Sequence, residues 1–321
     1  MQILWRRVKY KRIIIVLLLL IIILFVSCKS GLYTTKGLYM GTFLIVSIDD
    51  AHKKVINDIN EEIIRIEEKF SRYKEESLVY KLNHNKGSWI DVDDEFLYVL
   101  KTSLYLYDIS NGAFNPLIGD VVNEWGFYDG NYKIPDDYIL KDLIKKIGKE
   151  NIKIDEENKK IMLNNGSLDF GGIVKGYALD KIREILINNS VKEAIINLGG
   201  NVLTWGDRVF KIGVKNPREE GIIYVFEIEG NNTIATSGDY ENFFIENGLR
   251  YHHIINPENG YPAKSGIIEV SILSKSGIIG DGLSTTLFIL GKEEGKNLIK
   301  KYFQDVNVLF VDEQLNTESI K

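Results

Sequence analysis

The sequence predicts a single α+β domain with a largely antiparallel sheet and packed helices. Its second half contains short β-rich runs separated by glycine, asparagine and proline turns, so strands mostly follow strands. Its first half carries apolar residues at helical spacing. This order argues against a doubly wound fold, in which strands and helices alternate along the chain.

The first predicted elements are a strand at residues 39–48, YMGTFLIVSI, and a helix that begins at Asp50. One buried helical face is expected because apolar residues recur every three or four positions: Val55, Ile59, Ile63, Ile66 and Phe70. Later helices are predicted at about 93–109, 136–147, 173–187 and 281–290, and a hairpin at 152–163. The other β-rich runs lie at 194–205, 210–217, 222–228, 233–238, 251–257 and 267–273.

The N-terminal segment is expected to be a leader rather than part of the fold. A basic region precedes an unbroken apolar run at residues 13–26, and the only cysteine, Cys28, follows Ser27. The apolar run is short for a membrane span and is typical of a signal peptide. Residues 1–27 are therefore predicted to be a signal peptide, 28–37 a lipidated cysteine and tether, and 38–321 the folded domain. An uncleaved N-terminal anchor is the alternative; both place the protein on the extracytoplasmic side of a membrane.

Composition excludes several function classes. One cysteine allows no internal disulfide, so the domain must be stable through its core alone. The formal charge is −5, and removing the five basic residues of the leader leaves 35 basic and 45 acidic residues, or −10. Such a surface repels nucleic acid. A phosphorylated ligand would need positive charge at the site itself, which a metal ion can supply.

The segment LDFGGIVKGYALD, residues 168–180, predicts a strand end, a tight turn and a helix start. Asp169, Gly171, Gly172 and Lys175 would then share one small volume, as in phosphate-binding turns. The alternative interpretation is an ordinary glycine-rich turn that connects to a helix without forming a ligand site.

The segment GDGLSTTLFIL places Asp281 and Thr285 four residues apart at the start of a predicted helix. Their oxygens would face one side and suit a hard cation such as Mg²⁺, with further ligands from elsewhere. The alternative is an N-cap aspartate and a surface hydroxyl.

Other candidate site residues are histidines and aromatic residues. His252 and His253 are adjacent in a predicted strand, so at most one faces a given site; there it would act as a base, or else be structural. Tyr73 and Phe114, in turn contexts, are candidates for stacking on a flat ring or for packing.

Eight motifs follow one another across the chain: MGT at Met40, FSRY at 70–73, GAFNPLIG at 112–119, LDFGGIVKGYALD at 168–180, INLGGN at 196–201, TSGDY at 236–240, HIINPENGYP at 253–262 and GDGLSTTLFILG at 280–291. In this order they resemble the ApbE family, lipoprotein FAD:protein FMN transferases. Such proteins move FMN from FAD to a threonine or serine hydroxyl of an acceptor protein and release AMP.

The resemblance implies roles for matching residues. FAD would contact Met40, Tyr73, Ala113, Phe114, Asn115, Asp169, Lys175 and Ile255. Mg²⁺ would be held by Asp281, Thr285 and the backbone carbonyl of Gly172, and His253 and Asp281 would be catalytic. The chain departs from the family where aspartate is frequent, because it has asparagine at Asn115, Asn201 and Asn256.

The implied acceptors are subunits of membrane redox complexes or extracytoplasmic flavoproteins, reached from a lipid-anchored position. Two alternative functions stay open at this point. One is an FAD pyrophosphatase that gives FMN and AMP, since water can replace the acceptor hydroxyl. The other is a flavin-binding lipoprotein without turnover.

Overall fold

A computed structural model describes residues 31–321 of the chain. The predicted signal peptide and Cys28 lie outside the described residues. Seven α-helices lie within them: α1 (Val55–Phe70), α2 (Leu78–His84), α3 (Asp94–Ile109), α4 (Gly119–Glu124), α5 (Asp137–Ile144), α6 (Val174–Asn188) and α7 (Gly277–Tyr302). Two short 3₁₀ turns cover Asp50–His52 and Lys149–Asn151. Helix α7 is broken at Gly291, where φ is 78°.

The strands of the described residues are β1 (Leu32–Tyr39), β2 (Thr42–Asp49), β3 (Trp89–Asp91), β4 (Ile152–Asp155), β5 (Lys160–Leu163), β6 (Ala194–Leu198), β7 (Asn201–Trp205), β8 (Val209–Lys215), β9 (Ile222–Glu229), β10 (Asn232–Gly238), β11 (Phe243–Glu246), β12 (Leu249–His252), β13 (Ile267–Ser274), β14 (Asn307–Asp312) and β15 (Thr317–Ile320). Eight of them form one sheet in the order β1-β2-β6-β7-β10-β13-β14-β15. Every pairing in this sheet is antiparallel. A three-stranded sheet β3-β5-β4 and the hairpins β8-β9 and β11-β12 complete the strands.

The predicted α+β class with a largely antiparallel sheet is confirmed. Helix α1 buries the whole predicted apolar face, Val55, Ile59, Ile63, Ile66 and Phe70. Asp93 and Asp136 are N-caps, each accepting a backbone N–H within the first turn of α3 and of α5. The predicted hairpin at 152–163 is β4-β5. Helices α2 and α4 were not predicted.

The predicted tether is wrong for residues 32–37. These residues belong to β1, which pairs with β2 along its whole length from Leu32 with Asp49 to Tyr39 with Thr42. The folded domain therefore begins at Leu32 and not at residue 38. No helix in residues 31–321 is both long and apolar enough to cross a membrane.

Helices α6 and α7 cross where each begins, and two glycines allow the crossing. A Cβ on Gly176 would lie 2.1 Å from the carbonyl oxygen of Gly277, so only glycine fits there. Each helix also caps the other. Asp180 of α6 accepts the N–H groups of Gly277 (2.7 Å) and Ile278 (2.9 Å), and Asp281 of α7 accepts the N–H of Gly176 (2.8 Å). These bonds satisfy free amides at both helix starts and hold α6 and α7 in one register.

The opposite face of the sheet is covered by the β8-β9 hairpin, and a carboxyl is buried near it on β13. Glu269 is fully buried, and its Oε2 accepts a hydrogen bond from the Tyr240 hydroxyl at 2.7 Å. Its Oε1 has no hydrogen-bond partner in the described residues. Burial raises the pKa of Glu269 to about 7, against the opposing bond from Tyr240.

Candidate active site

A cavity of about 590 Å³ lies between the β1-β2 turn, the start of α6, the end of β10 and one face of α7. It has the size of a site for a cofactor or drug-sized ligand. Twelve residues predicted from the sequence all line it: Met40, Tyr73, Ala113, Phe114, Asn115, Asp169, Gly172, Lys175, His253, Ile255, Asp281 and Thr285. The remaining predicted residue, Cys28, lies outside the described residues.

The turn before α6 is organised by Asp169. Its Oδ1 accepts the N–H of Gly171 at 2.7 Å, and its Oδ2 lies 3.4 Å from Nη1 of Arg72. Lys175, in the first turn of α6, donates from Nζ to the Gly171 carbonyl at 3.3 Å. The strand predicted to end here is replaced by a single bridge between Ser167 and Ile118. A lysine and a helix start nevertheless face the cavity, which suits an anionic ligand.

An arginine and a tyrosine that were not predicted support this side of the cavity. Arg72 donates to the Gly119 carbonyl at 3.0 Å, and its guanidinium carbon lies 4.2 Å from the ring centroid of Tyr128. Tyr73 packs edge-on against Tyr128 at 5.5 Å and is 56% exposed. Two aromatic rings and a cation thus form a wall of the cavity, where a flat ring could stack.

The segment after α3 packs more tightly than predicted. Phe114, a candidate for stacking or for packing, is only 4% exposed, and its ring lies against Gly172. Asn115 donates to the Ile147 carbonyl at 3.0 Å and accepts the N–H of Leu117 at 2.8 Å. The Asn115 amide therefore uses both its donor and its acceptor to fix the loop, which a carboxylate could not do.

The other two asparagines that depart from the family pattern do not line the cavity. Asn201 is fully buried and its Oδ1 accepts the N–H of Thr236 at 3.2 Å. Asn256 accepts the N–H of Glu258 at 2.9 Å in a tight turn. Each of these side chains accepts a backbone N–H: the Asn201 bond joins β7 to β10, and the Asn256 bond stabilises a turn.

Asp281 and Thr285 lie inside α7 and not at its start, so that prediction was wrong. The helix begins at Gly277, with Ser276 as its N-cap, and Asp281 is its fifth residue. The carboxylate instead lies beside the first turn of α6, through its 2.8 Å bond from Gly176. The two residues still share one face of α7, because they are four residues apart.

Two oxygen donors suited to a hard cation, the Asp281 carboxylate and the Thr285 hydroxyl, line the cavity beside Gly172. Thr285 Oγ1 adjoins Gly172, since a Cβ placed on Gly172 would lie 3.1 Å from it, and lies 3.3 Å from Ser237 Oγ. Within residues 31–321, the Asp281 carboxylate receives one hydrogen bond, at Oδ2, which leaves Oδ1 for a ligand. No group of three or more His, Cys, Asp and Glu side chains in those residues could hold a metal. The carboxylate and the hydroxyl, with the Gly172 carbonyl that the resemblance implies, fit Mg²⁺ completed by ligand oxygens.

His253, and not His252, faces the cavity. His252 is 6% exposed, with Nε2 3.1 Å from the Ala263 carbonyl and its ring edge-on to Phe288. His253 lies just past β12, and its Nδ1 is 3.2 Å from the Asn242 carbonyl. A carbonyl only accepts hydrogen bonds, so Nδ1 carries the proton and Nε2 is a free base. Burial, with smaller contributions from the charges of His252 and Lys175, lowers the pKa of His253 to about 4.

Sequence reasoning also missed three polar residues that line the cavity. Ser237 Oγ lies 2.8 Å from Ser284 Oγ and 3.3 Å from Thr285 Oγ1, and so helps to position the Thr285 hydroxyl. Asn242 supplies the carbonyl that orients His253. Glu241 lies near Lys175, and poor solvation in the cavity raises the pKa of its carboxyl, against the lysine charge. Ser237 stands within the TSGDY motif, which was the available signal.

Comparisons with known proteins identify the family of this chain. The family model described as the ApbE family matches residues 40–310. A Treponema pallidum protein named FAD:protein FMN transferase is 30% identical over 262 residues, covering 75% of this chain and 72% of its own length. A Klebsiella pneumoniae protein of the same name is 29% identical over 285 residues, with coverage of 87% and 89%. The crystal structure of the Thermotoga maritima ApbE protein superposes with a TM-score of 0.83 at 31% identity, covering 89% of this chain and 96% of that one.

Proposed function

Because this chain belongs to the ApbE family, we propose that it is an FAD:protein FMN transferase that moves FMN to a threonine or serine hydroxyl of an acceptor protein and releases AMP. One observation carries the proposal: residues scattered from Met40 to Thr285 in the sequence line a single cavity of cofactor size.

The chemistry is an in-line displacement at the FMN-side phosphorus of FAD. The acceptor oxygen forms a bond to that phosphorus while the bond to the bridging oxygen breaks, and AMP leaves with the bridging oxygen. The hydroxyl proton passes to Nε2 of His253, whose other nitrogen is held by Asn242. The low pKa of His253 keeps the ring neutral, and therefore able to accept a proton, at neutral pH.

The diphosphate of FAD requires positive charge in an acidic protein. Lys175 and the start of α6 provide part of it. Asp281, Thr285 and the Gly172 carbonyl would hold Mg²⁺, which when bound would neutralise charge on the diphosphate. The fit of this donor set supports the assignment. Arg72, Tyr73 and Tyr128 would hold a ring of the dinucleotide.

We also propose that the protein is a lipoprotein, anchored through Cys28 on the extracytoplasmic side of a membrane. The apolar run and the Ser27-Cys28 pair support this, and the acceptor would then be a membrane redox subunit or extracytoplasmic flavoprotein. Labelling of the wild type with a palmitate analogue, lost in Cys28→Ala, is the expected result. Equal labelling of both chains would contradict it.

A single incubation tests the catalytic proposal. Leaderless protein, FAD, Mg²⁺ and a candidate acceptor domain are mixed, and AMP, free FMN and in-gel flavin fluorescence of the acceptor are measured. AMP with a fluorescent acceptor supports transfer. AMP with free FMN alone would indicate a pyrophosphatase, and neither product would indicate a binding protein.

The matched variants are Asp281→Ala and Asp142→Ala. Asp281→Ala should abolish AMP release and transfer, because the cavity loses the carboxylate proposed to hold Mg²⁺. Asp142 is an exposed aspartate on α5, and its removal should leave both rates unchanged. Normal turnover of Asp281→Ala in buffer free of chelator would refute the metal assignment.

A further inference from the structure

Strand β1 is an edge of the main sheet, and alternate backbone groups along it point away from β2. The carbonyl of Phe43 in β2 accepts the N–H of Gly199, next to β6, so Phe43 is not bonded to its β1 partner Leu38. In an antiparallel pair, two residues that are not bonded to each other direct their N–H and C=O groups away from each other. The N–H and C=O of Leu38 therefore point away from β2. By the same alternation, Thr34, Lys36 and Leu38 present their N–H and C=O groups to the outer edge. Within residues 31–321, no strand pairs with that edge.

The same edge carries exposed apolar side chains. Leu38 is 70% exposed and its cross-strand partner Phe43 is 54% exposed. Lys36 lies on this face too, with its ammonium 3.8 Å from the Phe43 ring centroid. Soluble proteins usually shorten or cover long edge strands with exposed apolar residues, because such strands can pair with strands of other chains. An eight-residue strand left open in this way is suited to adding a strand.

This edge is continuous with the cavity. The two residues that join β1 to β2, Met40 and Gly41, line the cavity directly beyond Leu38. A segment paired along β1 therefore reaches the mouth of the cavity at the Tyr39 end. The next residue of that segment then lies at the entrance.

We propose that the outer edge of β1 binds an extended segment of the acceptor polypeptide, which carries its threonine or serine past Leu38 into the cavity. The proposal rests on the proposed function, whose second substrate is a protein that must reach a phosphorus inside this cavity. Main-chain bonds to Thr34, Lys36 and Leu38 supply affinity, and the Leu38-Phe43 pair receives an apolar side chain of the segment.

Residue-resolved hydrogen exchange tests the pairing. The probe is the acceptor domain used in the transfer assay, added to the full-length chain in detergent. Exchange of the amides of Thr34, Lys36 and Leu38 should slow at least tenfold, while the amides of Thr35 and Gly37, already bonded to β2, should not change. No protection, or protection without this alternation, would overturn the proposal. So would the same protection without acceptor, caused by anionic lipid vesicles or by raising the enzyme concentration.

Two variants test its role in transfer. Leu38→Lys places a charge in the apolar contact, and Lys36→Pro removes one outward N–H without removing a β1-β2 bond. Each should raise the KM for the acceptor about tenfold, the effect of losing a contact that contributes strongly to an interface. FAD affinity and AMP release without acceptor should be unchanged. Ile222→Lys, at a similarly exposed position (64%) on β9, is the control.

An acceptor KM that is unchanged in both variants, or raised equally in Ile222→Lys, would overturn the proposal. Leu38→Lys alters only a surface side chain, so it decides the question if Lys36→Pro misfolds. If the wild type labels no acceptor, the proposed function fails, and the exchange experiment still decides whether the acceptor binds β1.

Discussion

The pH dependence of stability should reveal the buried carboxyl of Glu269. The folded protein raises the pKa of this group to about 7, whereas an unfolded chain has the ordinary value of 4.5. Below pH 4.5 the carboxyl is protonated in both states and has no effect. Between pH 4.5 and 7 only the unfolded chain releases the proton, so the free energy of unfolding falls as pH rises.

The size of this fall follows from the two pKa values. The interval between 4.5 and about 7, at about 1.4 kcal/mol per pH unit, gives a loss of about 3 kcal/mol. Glu269→Gln keeps the shape of the side chain and an acceptor for Tyr240 but cannot ionise. The difference in unfolding free energy between wild type and Glu269→Gln should therefore change by about 3 kcal/mol from pH 4 to pH 8.

Urea unfolding, followed by far-UV circular dichroism at half-unit pH steps, measures this difference. Glu258→Gln, which changes an exposed glutamate, serves as the control and should follow the wild-type profile. Parallel profiles for wild type and Glu269→Gln, within about 1 kcal/mol across the range, would refute the reasoning.

Three further substitutions have defined outcomes. Gly176→Ala should destabilise the fold by about 3 kcal/mol, because its Cβ would lie 2.1 Å from a backbone oxygen; Gly31→Ala, in open space, is the control in the same urea titration. Asp180→Ala should cost about 2 kcal/mol, since two amides at the start of α7 lose their cap, and a thermal midpoint equal to wild type would contradict this. His253→Gln should slow flavin transfer at least about 100-fold while FAD affinity stays within about threefold, measured by single-turnover gels and fluorescence titration. A transfer rate near wild type would exclude His253 as the base.

Much of the fold was predictable where one periodicity persists over several turns. Helix α1 repeats its apolar residues across four turns, and α3 and α5 begin one residue after their predicted starts, with Asp93 and Asp136 as N-caps. Helices α2 and α4 contain seven and six residues, fewer than two turns, so no period could be established. Strand β1 was interpreted as a tether because an edge strand with one solvated side is polar in composition.

The start of α7 was placed too late for a different reason. Gly277 and Gly280 precede Asp281, and glycines usually mark a turn. Here Gly277 lies inside a helix, and glycine is needed there because the backbone of α6 crosses α7 at this residue. That requirement comes from residues about 100 positions away in the sequence. Arg72 and Tyr128 escaped prediction in the same way, since their contact joins segments more than 50 residues apart. The twelve cavity residues were predicted because the motifs that carry them resemble a family pattern, while local patterns alone left both interpretations open.

The start of β1 at Leu32 limits the distance between the cavity and a membrane, if Cys28 is lipidated as proposed. Three residues separate Cys28 from the sheet, and β1 then runs about 26 Å to the turn that lines the cavity. With a lipid on Cys28, fully extended chain geometry holds Met40 within about 40 Å of the bilayer surface. If Cys28 is lipidated as proposed, acceptors whose target hydroxyl lies within that distance of the membrane can be modified directly, and more distant ones require a flexible segment of their own.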